Sequence, residues 1–159
     1  MAYPSGVMDT LILILHPVFA LIVIGFMLKQ YRYRKKRLEL RGKEAKEERT
    51  RHEELGERTY ILAISVVVVG FLANTLNGLA DGESATAIIP SHLHGWFGIL
   101  GLILLTILVR KGRLTKAQRE AGESFSLERE RHGRASDIIV ILMVIHAFLG
   151  FIYLFQLVR

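Results

Sequence analysis

Cysteine is absent from this chain of 159 residues. Its absence excludes disulfides, thiolate metal sites and iron–sulfur clusters, so any redox chemistry requires a bound cofactor. Charged residues are also absent from four long runs, which are Thr10–Leu28, Thr59–Ala80, Ser84–Val109 and Ile138–Val158. The runs contain 19, 22, 26 and 21 residues, and about 20 apolar residues in a helix cross a bilayer core of about 30 Å. The sequence therefore predicts four membrane-spanning helices.

Strands do not fit the four runs, because the runs are too long and lack alternation of apolar and polar residues. Inside a bilayer, only helices and closed barrels satisfy every backbone hydrogen bond. A soluble bundle of wholly apolar helices is the alternative. We predict an all-α fold, an integral membrane four-helix bundle that forms one domain over residues 1–159. The helices are expected at about 10–33, 43–78, 91–111 and 130–158.

Basic residues are concentrated in two segments. Of the 21 Lys and Arg residues, 12 lie from Lys29 to Arg58 and eight lie from Arg110 to Arg134, whereas Asp81 to Pro90 and the N-terminal tail contain none. By the positive-inside rule, both long loops are cytoplasmic and both termini lie outside. This topology, together with contact with anionic membrane lipid, accounts for the net charge of +6. Nucleic acid is therefore not an expected partner.

The third predicted helix has recognisable start and stop signals. Pro90-Ser91 predicts its beginning, with Ser91 as the N-cap, and Lys111-Gly112 predicts its end. The following stretch, Arg113 to Glu130, lacks apolar periodicity and is expected to be partly disordered.

Four of the six histidines are predicted to pair by depth. With a rise of about 1.5 Å per residue, His16 lies about 9 Å below the outer boundary and His94 about 5 to 8 Å below it. His52 and His132 match each other in depth at the cytoplasmic surface. This pairing favours two bis-histidine heme sites, because two imidazoles from opposite helices give a low-spin iron centre suited to electron transfer.

The remaining two histidines have less definite roles. His146 comes fourteen residues after His132, about 40° from its face, so it is expected to point inward near the middle of the bilayer. His92 lies about 160° from His94 on an ideal helix and is expected to meet headgroups, a propionate or an outer partner. A zinc site at His92 and His94 is a weaker alternative, since no carboxylate or cysteine accompanies them. His52, which lies among charges, also fits an ordinary interfacial residue.

Two glycines lie on the same faces as histidines. Gly70 follows His52 by eighteen residues, and Gly150 follows His132 by eighteen, which is five whole helical turns. Small residues at such positions allow helices to approach closely. They also leave the flat space that a porphyrin requires between four helices.

Several motifs carry a family resemblance. They are His16-Pro17, RHEELG at 51–56, LHGWFG at 93–98 and RHGRAS at 131–136. In these motifs the chain resembles the cytochrome b561-type membrane proteins and their four-helix relatives in cyanobacteria and plastids, over Leu11 to about Phe155. The resemblance implies two hemes b, the outer bound by His16 and His94 and the inner by His52 and His132. It also implies a bacterial plasma membrane or a thylakoid-type membrane as the location.

The resemblance implies a transmembrane electron-transfer cytochrome. Its reductant would be a small molecule such as ascorbate or quinol, and the basic loops would neutralise heme propionates or attract an anionic reductant. A second hypothesis is a small accessory subunit, bound to a larger respiratory or photosynthetic complex; a homodimer is a further possible assembly. A third is a quinone-binding or proton-relay role for His146.

Overall fold

The computed structural model describes residues 7–80, 82 and 84–158. They form α1 (Val7–Lys36), α2 (Gly42–Ala80), α3 (Leu93–Glu120) and α4 (Ser126–Val158), with a short 3-10 helix, Ala85–Ile88, between α2 and α3. Each helix packs against its two neighbours in the cyclic order α1, α2, α3, α4. Helices α1 and α3 are therefore diagonally opposed, as are α2 and α4. The predicted all-α four-helix fold is confirmed.

All four helices contain a segment long and apolar enough to cross a membrane. Large apolar side chains cover their outer surfaces, including Ile61, which is 63% exposed, and Phe148, which is 65% exposed. In water, a continuous apolar surface of this kind is unfavourable, whereas in a bilayer it contacts acyl chains. The fold is that of a multi-pass membrane protein, and the soluble alternative is not supported.

The buried core lies midway along the bundle. One buried side chain from each helix forms it, and we call this set the central layer: Val23, Ala63, Leu105 and Ile139. Partly buried residues pack against the layer, and the hydroxyl groups of Tyr60 and Thr106 are joined by a hydrogen bond of 3.0 Å between α2 and α3. The helices are thereby held in register at mid-height.

Helix α3 is longer than the sequence predicted. The expected end near Lys111-Gly112 is wrong, because α3 continues to Glu120 and α4 begins at Ser126. The expected partly disordered stretch is thus mostly helical, and only residues 121–125 connect the two helices. The true stop signal is Gly122, which has a φ of +73°. Its backbone N–H donates to the Arg119 carbonyl, and that of Glu123 donates to the Gln118 carbonyl, as in a Schellman motif.

Ion pairs hold the extension of α3 against α2 beyond the apolar runs. Arg113 binds both carboxylate oxygens of Glu57, at 2.8 and 2.6 Å. Arg119 and Lys116 both bind Glu53, at 2.6 and 3.6 Å. The Arg113–Glu57 pair is bidentate and therefore has restricted geometry, whereas Arg119 and Lys116 each make one contact with Glu53. These ion pairs account for the helical structure of a segment that lacks apolar periodicity.

Candidate functional site

The four predicted site histidines form two pairs at opposite ends of the bundle. The ring centroids of His16 and His94 lie 6.1 Å apart with their planes at 89°, and those of His52 and His132 lie 6.4 Å apart at 87°. We call these pairs the outer level and the inner level, following the predicted orientation. Each pair joins diagonally opposed helices, so its side chains meet across the centre of the bundle.

The separation within each level matches that of two imidazoles bound to one metal ion. A metal–nitrogen bond of about 2 Å, with a further ~1 Å from that nitrogen to the ring centroid, places two such centroids about 6 Å apart. An edge-to-face contact between two rings has a similar separation. The distance is therefore compatible with both arrangements, and the ring nitrogens provide a second criterion.

Hydrogen bonds fix the tautomer of one histidine at each level. His94 Nδ1 donates to the backbone carbonyl of His146 at 3.2 Å, and His132 Nδ1 donates to that of Leu108 at 3.0 Å. A carbonyl oxygen only accepts, so the proton lies on Nδ1 and the neutral ring keeps a lone pair on Nε2. Metal-binding histidines are typically oriented in this way by a carbonyl group.

Glycines on the facing helices allow the rings to approach closely. A Cβ atom on Gly150 would lie 2.9 Å from His94 Cε1, and one on Gly70 would lie 2.9 Å from His16 Cε1. A Cβ on Gly112 would lie 3.2 Å from His132 Cε1. The sequence predicted that Gly70 and Gly150 face inward, and they do. Gly112, interpreted from sequence as a helix end, has the same role within α3.

His52 is held by a stacked ring and not by a hydrogen bond from its Nδ1. Its ring is stacked on Tyr33 of α1, with centroids 4.3 Å apart and planes at 17°. Gln30 Nε2 donates to the His52 backbone carbonyl at 3.0 Å, whereas His52 Nδ1 has no hydrogen-bond partner among the described residues. His52 therefore lacks the orienting carbonyl that His132 has, and in the outer level His16 Nδ1 also has no partner among the described residues.

His146 points inward as predicted, but its depth differs from the prediction. Its ring is stacked on His94 with centroids 4.1 Å apart and planes at 14°, so it lies at the outer level and not near the middle of the bilayer. The prediction placed it by counting along its own helix from His132. Helix α4 continues to Val158, whereas α3 begins at Leu93, so the two helices end at different heights.

His92 also departs from the prediction. It is the N-cap of α3, with extended backbone at φ −133° and ψ 154°, so the helical angle of 160° and the expectation of Ser91 as the N-cap are wrong. Its ring is stacked on Tyr153 of α4, with centroids 3.8 Å apart. Buried Pro90 folds back on Gly95, where a Cβ would lie 2.5 Å from Pro90 Cβ. His92 therefore packs against the bundle rather than pointing away from it.

Groups of three or more His, Cys, Asp or Glu residues placed to hold a metal ion do not occur in the described part of the chain. The rings of His92 and His94 lie 6.2 Å apart with planes at 7°. A zinc ion requires three or four protein ligands, and the described residues place no third His, Cys, Asp or Glu with these two rings. The geometry gives no support to a zinc site there.

Searches against known proteins returned no match: no family model, no curated protein and no solved structure corresponds to this chain. The resemblance to cytochrome b561-type proteins therefore rests on the sequence motifs alone.

Proposed function

We propose that the protein is a transmembrane b-type cytochrome that carries two bis-histidine hemes and relays electrons across the membrane. The observation that carries the proposal is the pair of histidine levels: at each end of the bundle, two imidazoles meet across the diagonal with centroids 6.1 and 6.4 Å apart. The same arrangement occurs at two separate places in the bundle, which supports the proposal.

The donor set fits heme better than a free metal ion. Each level offers two opposed imidazoles, and a porphyrin brings the other four nitrogen ligands itself. A free zinc ion requires three or four protein ligands. When bound, a heme held by two histidines would supply reversible one-electron chemistry.

The residues of the chain orient the donors. Carbonyl groups hold Nδ1 of His94 and His132, which leaves each Nε2 directed away from its hydrogen bond. The glycines keep the facing helices close. Leu108, whose carbonyl binds His132, lies fourteen residues after His94. This separation is about 21 Å along α3. The two levels thus lie near opposite ends of the membrane-spanning region.

The basic segments favour a small anionic reductant at the inner end. Twelve Lys and Arg residues lie from Lys29 to Arg58, and a positive surface raises the local concentration of an anion such as ascorbate. A quinol, which is apolar, would instead approach from the bilayer.

The ratio of heme to protein tests the proposal. The protein, purified gently in detergent, is expected to bind two hemes per chain and to show the absorption change of a b-type cytochrome on reduction with dithionite. A protein that retains no heme after gentle purification would contradict the proposal.

A further inference from the structure

One imidazole at each level has a second ring stacked on its face. His146 of α4 is stacked on His94 of α3, with centroids 4.1 Å apart and planes at 14°. Tyr33 of α1 is stacked on His52 of α2, with centroids 4.3 Å apart and planes at 17°. In both cases the stacked ring comes from the helix that is adjacent in sequence. The two histidines opposite them, His16 and His132, lie beside Gly70 and Gly112, and His94 also lies beside Gly150.

A stacked ring restricts the rotation of its neighbour. An imidazole that binds a metal through Nε2 turns about the metal–nitrogen bond unless its surroundings oppose the turn. At a centroid distance near 4 Å, rotation drives the edge of one ring into the face of the other. A flat ring in this position therefore selects one orientation of the imidazole plane.

We propose that His146 and Tyr33 are positioning residues that set the imidazole planes of His94 and His52. The proposal rests on the proposed function, since it concerns imidazoles that bind heme iron. The planes within each level are nearly perpendicular, at 89° and 87°. The angle between two axial imidazoles determines how the iron d orbitals split, and hence the g values of the oxidised low-spin centre.

The imidazoles of His94 and His52 are not held in place by the same number of contacts. His94 is held both by His146 and by the hydrogen bond from its Nδ1 to the His146 carbonyl. His52 Nδ1 has no such partner in the described part of the chain. The plane of His52 thus depends more on its stacked ring, and loss of Tyr33 is expected to have the larger effect.

The backbone and the side chain of His146 can be tested separately. The carbonyl that accepts the hydrogen bond from His94 belongs to the backbone, so it survives substitution of the side chain. His146→Phe and Tyr33→Phe keep a flat ring, whereas His146→Leu and Tyr33→Leu remove it and keep apolar bulk. Phe148→Leu is the matched control, because Phe148 is 65% exposed and lies two residues from His146.

Electron paramagnetic resonance of the oxidised, purified protein provides the measurement. Two low-spin signals are expected, which His94→Ala and His132→Ala assign to the outer and the inner level. His146→Leu is expected to shift the g values of the outer signal alone. Tyr33→Leu is expected to shift the g values of the inner signal alone, and this shift should be the larger of the two. Both Phe variants and Phe148→Leu are expected to keep the unsubstituted spectrum.

Loss of a positioning residue changes the signal of one level only, whereas a general folding defect would alter both signals together. Unchanged g values in both Leu variants would overturn the inference, as would equal shifts in the Phe and Leu variants. A Leu variant that loses heme at one level only, with its Phe counterpart intact, supports it. If the unsubstituted protein binds no heme, the proposed function itself fails; if it binds two and the Leu variants are unchanged, only this inference fails.

Discussion

Gly150 of α4 lies directly against the imidazole of His94 in α3, and a Cβ atom added to Gly150 would lie 2.9 Å from Cε1 and 3.1 Å from Nδ1 of that ring. Gly70 of α2 has nearly the same relationship to His16 of α1, at 2.9 and 3.2 Å. Both imidazoles of the outer level therefore occupy space that any other residue on the facing helix would fill.

Replacement of Gly150 by alanine is expected to disturb the outer level while the helix remains intact. Alanine favours a helix over glycine by about 1 kcal/mol, so the folded helix itself gains. The added methyl group must displace His94, because contacts under 3.0 Å are not tolerated. We expect loss or spectral change of the outer heme, measured by absorption of the reduced protein. Gly25→Ala is the control, since nothing lies within 4 Å of a Cβ there; identical spectra for the two variants would contradict the prediction.

Single histidine substitutions are expected to remove one heme each. His94→Ala should abolish the outer heme and His132→Ala only the inner one, which lowers the heme-to-protein ratio from two to one. His92→Ala should keep a ratio of two, because the His92 ring is stacked on Tyr153 and does not face His16. The pairing of the histidines is wrong if either of the first two variants keeps its original ratio.

Glu53→Gln is expected to weaken the contact between α2 and α3 at the inner end. Glu53 binds both Arg119 and Lys116, and its side chain is 23% exposed. Loss of the carboxylate should lower the free energy of unfolding by about 1 kcal/mol, the upper range for partly exposed pairs. Thermal unfolding in detergent at low and high salt measures the effect, which should shrink as salt screens the charges.

The matched control for that charge change is Glu130→Gln. Glu130 pairs with Arg134 within α4 at 2.6 Å, and both side chains are more than half exposed. A drop in stability as large as that of Glu53→Gln would mean that the position of the pair between helices is unimportant.

The absence of cysteine makes the topology directly testable. Single cysteines at Ser84 and Glu123, both exposed and outside the four α-helices, report on opposite sides of the membrane. A membrane-impermeant maleimide is expected to label Ser84→Cys in intact cells and Glu123→Cys only after lysis. The reverse pattern would show that the orientation predicted from the basic loops is inverted.

The sequence predicted the number of helices and the pairing of histidines well. About twenty residues without a charge are a strong local signal, and each run gave one helix. The pairing of His16 with His94 and of His52 with His132 follows from counting the helical rise. The number of helices and the depth of each histidine along its own helix are properties of one helix at a time, which is why they can be read from the chain.

Features that depend on two helices at once were missed. Gly112 resembles a stop signal, but α3 continues because Gly112 faces His132 and Gly122 supplies the left-handed turn. His92 was assigned an angle on a helix that begins one residue later. The stacking of His146 on His94 depends on the relative height of α3 and α4, which neither helix encodes alone.

The central layer, formed by Val23, Ala63, Leu105 and Ile139, separates the two histidine levels by apolar side chains. Such a layer conducts no ions, so a membrane voltage falls across it. A unit charge that crosses a whole bilayer core gains or loses about 2.3 kcal/mol per 100 mV. The two levels are about 21 Å apart, which is roughly two thirds of a core about 30 Å thick. Moving a unit charge between them therefore changes the free energy by about 1.5 kcal/mol per 100 mV. That energy corresponds to somewhat more than a tenfold change in an equilibrium constant. Under the proposed function, the distribution of electrons between the two ends of this bundle is therefore expected to respond to the electrical state of the membrane as well as to the chemistry at each end.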